Sequence, residues 1–367
     1  MKAIITGGGT GGHIYPAIAI ADEIKKREPE SEILYIGNEI GLEKDIVPRS
    51  GYDIRFVSAK WIDRRNIFKI ADTGFHTLRG SVQAHRIMKK FKPEVVVGTG
   101  GYVCFPVIYA AHRLGVRCYI HEQNAFPGMA NKALERFVDK IFLGFPEAGA
   151  YFKEPEKHVV TGNPVREEFF GADRAVARKK LEIPAEAFVV FVFGGSQGSE
   201  AVNYAMFDLI DKVSGSENIY LLFATGSMYY DEVMEKMSAL GIKKSERIRI
   251  SPYVEDMAGY IAAADIVVGR SGALSVAEIC VSGRAAVMIP SPNVTGNHQF
   301  FNAKSVADKG GAVIIEERDL TPGKLADTVL NFEKKPEILA EMEKRSRNAV
   351  PDNGTEKIYE CIREDLS

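Results

Sequence analysis

The sequence predicts an α/β protein made of two Rossmann-like domains, each with a parallel sheet, facing a central cleft. Three observations carry that reading. Short apolar runs alternate with amphipathic stretches along the whole chain, which is the pattern of βαβ units. A glycine-rich turn follows an apolar run twice, at Gly7–Gly12 and again at Gly194–Gly198, so the series starts over midway. A chain of 367 residues also exceeds the usual size of a single core. The expected division is 1–163 and 164–345, with 346–367 as a closing helix.

Taken in order, the first-half strands are expected at Ala3–Thr6, Ile33–Gly37, Ile54–Ser58, Val95–Gly98, Arg117–His121, Lys140–Phe145 and His158–Thr161. Those of the second half are Phe188–Phe193, Ile219–Ala224, Ile248–Ile250, Ile266–Gly269, Ala285–Ile289 and Ala312–Ile315. After the first turn, Ile14, Ala17, Ile18, Ala21 and Ile24 fall on one helical face. Near the end, Ile358, Cys361, Ile362 and Leu366 do the same.

Composition narrows the function. With 47 Lys+Arg against 49 Asp+Glu, net charge −2, the chain lacks the basic surface that a nucleic-acid partner requires. The four cysteines are widely spaced and no Cys/His group has zinc-ligand spacing. They read as small buried hydrophobes of a reducing compartment. The apolar start is too short for a signal peptide, and no run approaches the ~18 residues of a spanning helix. A cytosolic protein is expected, with any membrane contact peripheral.

Chemistry is expected at the carboxyl ends of the strands. Gly7-Gly8-Gly9-Thr10-Gly11-Gly12-His13 joins a strand to a helix start, where bare N–H groups meet anions, and His13 stands at the mouth. Gly98-Thr99-Gly100-Gly101-Tyr102 is a second such turn. His121-Glu122-Gln123-Asn124 sets four polar residues at a strand end, poor material for a core. Between them, residues 61–80 carry Ile67, Phe68, Ala71, Phe75 and Leu78 on one helical face, flanked by Arg64, Arg65, Lys69 and Arg79. That arrangement suits an anionic bilayer surface, although an ordinary helix packed on the sheet gives the same spacing.

The sharpest local signal is Gly269-Arg270-Ser271-Gly272-Ala273-Leu274-Ser275-Val276-Ala277-Glu278. Ser271 is placed to cap a helix running to Gly283. The N–H groups of Ala273, Leu274 and Ser275 would then point outward, with about half a positive charge at the terminus. Glu278 lies seven residues past that cap, ~10 Å along the axis, where a ribose diol reaches it if a diphosphate sits at the cap. Asp-x-Asp, a common metal-holding arrangement for donor diphosphates, is absent. Without a metal, a departing diphosphate would be met by helix termini, glycine-turn N–H groups, Arg166 and Ser196.

Gly7–His13, Gly98–Tyr102, His121–Asn124, Gly162-Asn163-Pro164-Val165-Arg166, Gly194–Gly198, Arg270–Glu278 and His298-Gln299 together, in order and spacing, resemble the bacterial family of UDP-N-acetylglucosamine transferases that convert lipid I to lipid II in peptidoglycan synthesis. The resemblance spans essentially the whole chain. It implies a GT-B-type glycosyltransferase, an inverting mechanism without metal or other cofactor, and a peripheral position on the cytoplasmic face of the cell membrane. The family's donor contacts fall on Thr10, Gly11, Gly12, Asn124, Arg166, Ser196, the backbone of Val254, Ala273, Leu274, Ser275, Glu278 and Gln299. Uracil goes to Val254, ribose to Glu278 and the diphosphate to Ser196 and Ala273. Gly296 departs from the acidic residue that many members carry there. Trp61, Arg64, Arg65, Ile67, Phe68, Lys69, Phe75 and Leu78 become a docking patch for the anionic inner leaflet. Further partners implied are UDP-N-acetylglucosamine, lipid I, and other cell-wall synthesis and division proteins.

The reaction so implied needs a general base for the C4 hydroxyl of lipid I; His13 suits neutral pH, with Glu122 the alternative. Two other classes fit part of the pattern. A nicotinamide or flavin oxidoreductase would use Gly7–Gly12 with Glu39 on a ribose, leaving the second turn idle. A non-catalytic nucleotide-sugar sensor would bind the donor and release no UDP.

Overall fold

The computed structural model describes residues 1–60, 67–195, 197–242 and 245–367, with backbone alone over 67–71. The chain forms two compact units, Met1–Val165 with Pro351–Ser367, and Arg166–Val350. The crossing between them thus falls two residues later than the spacing suggests, and the return comes at Pro351 rather than 346.

In the first unit, β1 (Lys2–Thr6), β2 (Glu32–Gly37), β3 (Asp53–Phe56), β4 (Val95–Gly98), β5 (Arg117–Glu122), β6 (Lys140–Leu143) and β7 (His158–Val160) form a sheet in the order 3-2-1-4-5-6-7. Every pairing in it is parallel. The second unit repeats the plan with β8 (Phe188–Phe193), β9 (Ile219–Ala224), β10 (Ile248–Ser251), β11 (Ile266–Gly269), β12 (Ala285–Met288) and β13 (Ala312–Ile314), ordered 10-9-8-11-12-13 and again parallel. Helices cover both faces of such sheets, so the central strands are apolar throughout rather than alternating. All six residues of β8 are buried, as are all four of β4 and of β11. Each buried Val, Ile or Phe contributes about 1.5–3 kcal/mol of transfer free energy.

Each sheet reverses its winding once, between β1 and β4 in the first unit and between β8 and β11 in the second. Loops leaving the two strands on either side of a reversal diverge and open a crevice, where ligands of open α/β sheets bind. Gly7–Gly12 and Thr99–Gly101 leave β1 and β4; Gly194-Gly195 and Arg270–Gly272 leave β8 and β11.

The helix Gly11–Arg27 buries Ile14, Ala17, Ile18, Ala21 and Ile24, the face its spacing predicts. The helix Gly354–Leu366 packs on it within the first unit, burying Ile358 and Ile362 fully. The Tyr119 hydroxyl donates to Asp365 at 2.8 Å, and the Lys140 ammonium pairs with the same carboxylate at 2.8 Å. The closing helix therefore belongs to the N-terminal unit's core. No helix among the described residues is long and apolar enough to cross a membrane.

Candidate active site

In the first unit, the turn after β1 is fastened from behind. Gly8 N–H donates to the Gly100 carbonyl (3.2 Å), Gly9 N–H to Glu43 Oε2 (3.1 Å), and the Tyr35 hydroxyl to the Gly7 carbonyl (2.7 Å). Gly8 and Gly9 thus spend their N–H groups on holding the loop. Gly11 and Gly12 precede the first helical hydrogen bonds, which His13 and Ile14 donate to the Thr10 carbonyl at 3.1 and 3.2 Å. Their N–H groups are thus the ones a helix start leaves over for an anion. Thr10 is exposed and makes no side-chain cap.

His13 is brought against the second turn. Its Nδ1 lies 3.1 Å from the Thr99 carbonyl and 3.2 Å from Gln123 Oε1. Gly100 has φ +113°, and a Cβ there would sit 2.7 Å from His13 Nδ1, so only glycine leaves the ring its place.

The His121–Asn124 stretch corrects an expectation. His121, Glu122 and Gln123 are buried to 0, 1 and 1% exposure, because they satisfy one another and the adjoining loop. Glu122 Oε1 accepts from the Asn124 backbone and side-chain nitrogens at 3.0 and 3.2 Å. Its Oε2 accepts from Gly128 N–H (3.0 Å) and Asn131 Nδ2 (2.8 Å). A buried carboxylate with four donors is a loop clamp rather than a base facing a substrate.

In the second unit, the helix after β11 is Ala273–Val281, capped by Gly272 and not by Ser271. The Ser271 hydroxyl turns inward and donates to the Gln299 carbonyl at 2.8 Å, while Gln299 Oε1 accepts from Ser291 N–H at 2.9 Å. The first helical bond runs from Val276 N–H to the Gly272 carbonyl (2.9 Å), which leaves the N–H groups of Ala273, Leu274 and Ser275 at the open end. With the cap one residue later, Glu278 is six residues along, about 9 Å. Burial pushes its carboxyl up to about 7, against the pull of the Arg166 guanidinium 3.5 Å away. Arg166 also pairs with Glu168 at 2.8 Å and lies over the Phe169 ring. Val254 is buried in the loop between β10 and the helix Met257–Ala263. Ser196 lies outside the described residues. Among the described residues no group of three or more His, Cys, Asp or Glu side chains is placed to hold a metal ion.

Two contributors escape sequence reading. Glu43, fully buried, holds Gly9 and the Asn38 N–H (3.0 Å) from the first position of the helix Glu43–Arg49, 34 residues downstream of Gly9. Arg270 donates to Ser199 Oγ (2.6 Å) and to the Ile289 carbonyl (3.2 Å) and pairs with Glu317, tying the turn after β11 to the cap of the helix Glu200–Ser214. No spacing in the chain announces either.

Of the membrane-patch residues, Trp61, Arg64 and Arg65 lie outside the described residues, as do the side chains of Ile67, Phe68 and Lys69. The helix Ile67–Phe91 exists, and it leaves Phe75 and Leu78 62 and 66% exposed, with Val82 on the same face and Arg79 beside them. Packing on the sheet would have hidden them. Leu78 also lines, with Phe105 and Tyr109, an apolar groove of about 350 Å³.

Two doubly wound parallel sheets with a glycine turn and a helix start at each reversal are the architecture of GT-B-type glycosyltransferases. Residues 3–143 match the glycosyltransferase family 28 N-terminal domain and residues 189–357 its C-terminal domain. The chain belongs to glycosyltransferase family 28. It is 44% identical, over 99% of its length and 98% of the relative's, to the UDP-N-acetylglucosamine–N-acetylmuramyl-(pentapeptide) pyrophosphoryl-undecaprenol N-acetylglucosamine transferase of Acetivibrio thermocellus. The protein of that name from Clostridioides difficile is 40% identical, covering 99% of this chain and 88% of the relative. The crystal structure of Acinetobacter baumannii MurG superposes with a TM-score of 0.79 at 26% identity, covering 99% of both chains. An oxidoreductase using Glu39 is set aside by this membership.

Proposed function

We propose that the protein transfers N-acetylglucosamine from UDP-N-acetylglucosamine to the C4 hydroxyl of undecaprenyl-pyrophosphoryl-N-acetylmuramyl-pentapeptide (lipid I), giving lipid II and UDP. The near full-length identity to relatives named for that transfer carries the reading. The second unit supports it with a helix start for a diphosphate and Glu278 about 9 Å away for a ribose. The uracil is assigned to the backbone at Val254, with Gln299, Asn124 and Ser196 on the donor sugar and diphosphate.

The hydroxyl attacks the anomeric carbon in line as the bond to UDP breaks, which inverts that centre. His13 takes the hydroxyl proton, since Glu122 has its oxygens occupied. Negative charge gathering on UDP is met by the N–H groups of Ala273, Leu274 and Ser275, the Gly194–Gly198 turn and Arg166, with no metal taking part. Phe75 and Leu78, with Val82 and the flanking cations, hold the protein to the anionic cytoplasmic leaflet, where the acceptor's polyprenyl chain is anchored. Cell-wall synthesis and division proteins are the expected neighbours there. Supplying a lipid I analogue and labelled donor tests the proposal: lipid II and UDP should appear in equal amounts. Donor binding without UDP release would indicate a sensor instead.

A further inference from the structure

We propose that His121 and Gln123 are positioning residues that set the tautomer of His13, so that its unprotonated Nε2 is the atom offered to the acceptor hydroxyl. The inference rests on His13 being the base and deepens that reading. The chain of contacts starts at a carbonyl. The Gly162 oxygen, which can only accept, lies 3.2 Å from His121 Nε2, so that nitrogen carries the hydrogen. Burial pushes the His121 imidazole down to about 4, which keeps the ring neutral and leaves Nδ1 a lone pair.

Gln123 Nε2 stands 3.0 Å from that lone pair, 2.8 Å from the Thr99 carbonyl and 3.1 Å from the His121 carbonyl. Three acceptors around one atom fix which end of the amide is NH2. Turned over, the amide oxygen would face two carbonyls and a lone pair inside a buried layer, where unmatched polar groups cost most. Gln123 Oε1 therefore points the other way, 3.2 Å from His13 Nδ1, where the Thr99 carbonyl also stands at 3.1 Å. Both neighbours of Nδ1 only accept, so Nδ1 holds the hydrogen of a neutral ring and Nε2 holds none. Gly162, through two side chains, thus acts together with the Thr99 carbonyl to set which nitrogen of His13 is basic. Partners that orient metal-bound histidines from behind change activity about 10–100-fold when removed, and that range is taken as the scale here.

The test is a long-range proton–nitrogen spectrum of the full chain labelled at its seven histidines, with His13 and His121 identified by their loss in His13→Gln and His121→Phe. Wild type should show His13 protonated on Nδ1 and bare on Nε2, and His121 the reverse. Gln123→Met should move part of the His13 population to the Nε2-protonated form and lower kcat about tenfold, with donor KM unchanged. A wild-type His13 protonated on Nε2, or a His13 spectrum unmoved by Gln123→Met, would overturn the proposal. Turnover of His13→Gln checks the base separately: normal turnover there removes His13 as base whatever the spectra say of its tautomer.

Discussion

The Arg166 guanidinium stands 3.5 Å from the Glu278 carboxylate, so the groups assigned to the donor's diphosphate and ribose are paired with each other. Burial raises the Glu278 carboxyl to about 7 in spite of that cation. Ribose hydroxyls donate better to a carboxylate than to a carboxylic acid. Titration calorimetry should therefore find UDP affinity climbing as pH rises from 6 to 8, and a flat profile in Glu278→Gln.

The same carboxyl makes a stability prediction of opposite sense. Its folded value lies above the 4.5 of an unperturbed glutamate. Its contribution is therefore complete below about pH 4.5 and is lost as pH rises through 7. Glu278→Gln should raise the melting temperature at pH 8, leave it unchanged at pH 4, and weaken UDP binding at least about tenfold. An equal change at both pH values would refute the linkage.

His13→Ala should lower kcat by ~10²–10⁴ if the imidazole takes the hydroxyl proton. Glu122→Gln should show its effect chiefly in melting temperature, since it sets an NH2 against N–H donors that thereby lose their acceptor. The pH–rate profile of that variant should keep its wild-type shape.

Gly100→Ala tests the seat of His13 apart from UDP binding. A Cβ 2.7 Å from His13 Nδ1, on a backbone with φ +113°, displaces the ring or strains the turn by about 1–3 kcal/mol. Turnover should fall at least about tenfold. UDP affinity, which the proposal assigns chiefly to Val254, Ala273–Ser275 and Glu278, should stay at the wild-type value in calorimetry.

Replacing Phe75 and Leu78 together by serine should abolish co-sedimentation with anionic vesicles, because each buried side chain contributes about 1.5–3 kcal/mol. Turnover of a short-chain, water-soluble acceptor analogue should be unaffected.

Much of the fold was legible because parallel strands buried on both faces read as uninterrupted apolar runs. Phe188–Phe193 and Val95–Gly98 show it residue for residue. What stayed hidden concerns polar groups whose partners are distant in sequence. Ser271 has the right chemistry for a cap, yet its hydroxyl goes to Gln299, 28 residues on. Glu122 looked available from its strand-end position, and only the fold of 122–131 reveals the four donors around it. Glu43 and Arg270 act through contacts that leave no periodicity at all.

In the proposed reaction, backbone N–H groups and Arg166 stabilise the departing UDP in place of a divalent ion. Lipid II formation measured after chelation with excess EDTA, and again with magnesium restored, addresses that most directly. Equal rates in the two conditions are predicted; activity that vanishes with the chelator and returns only with the metal would contradict it.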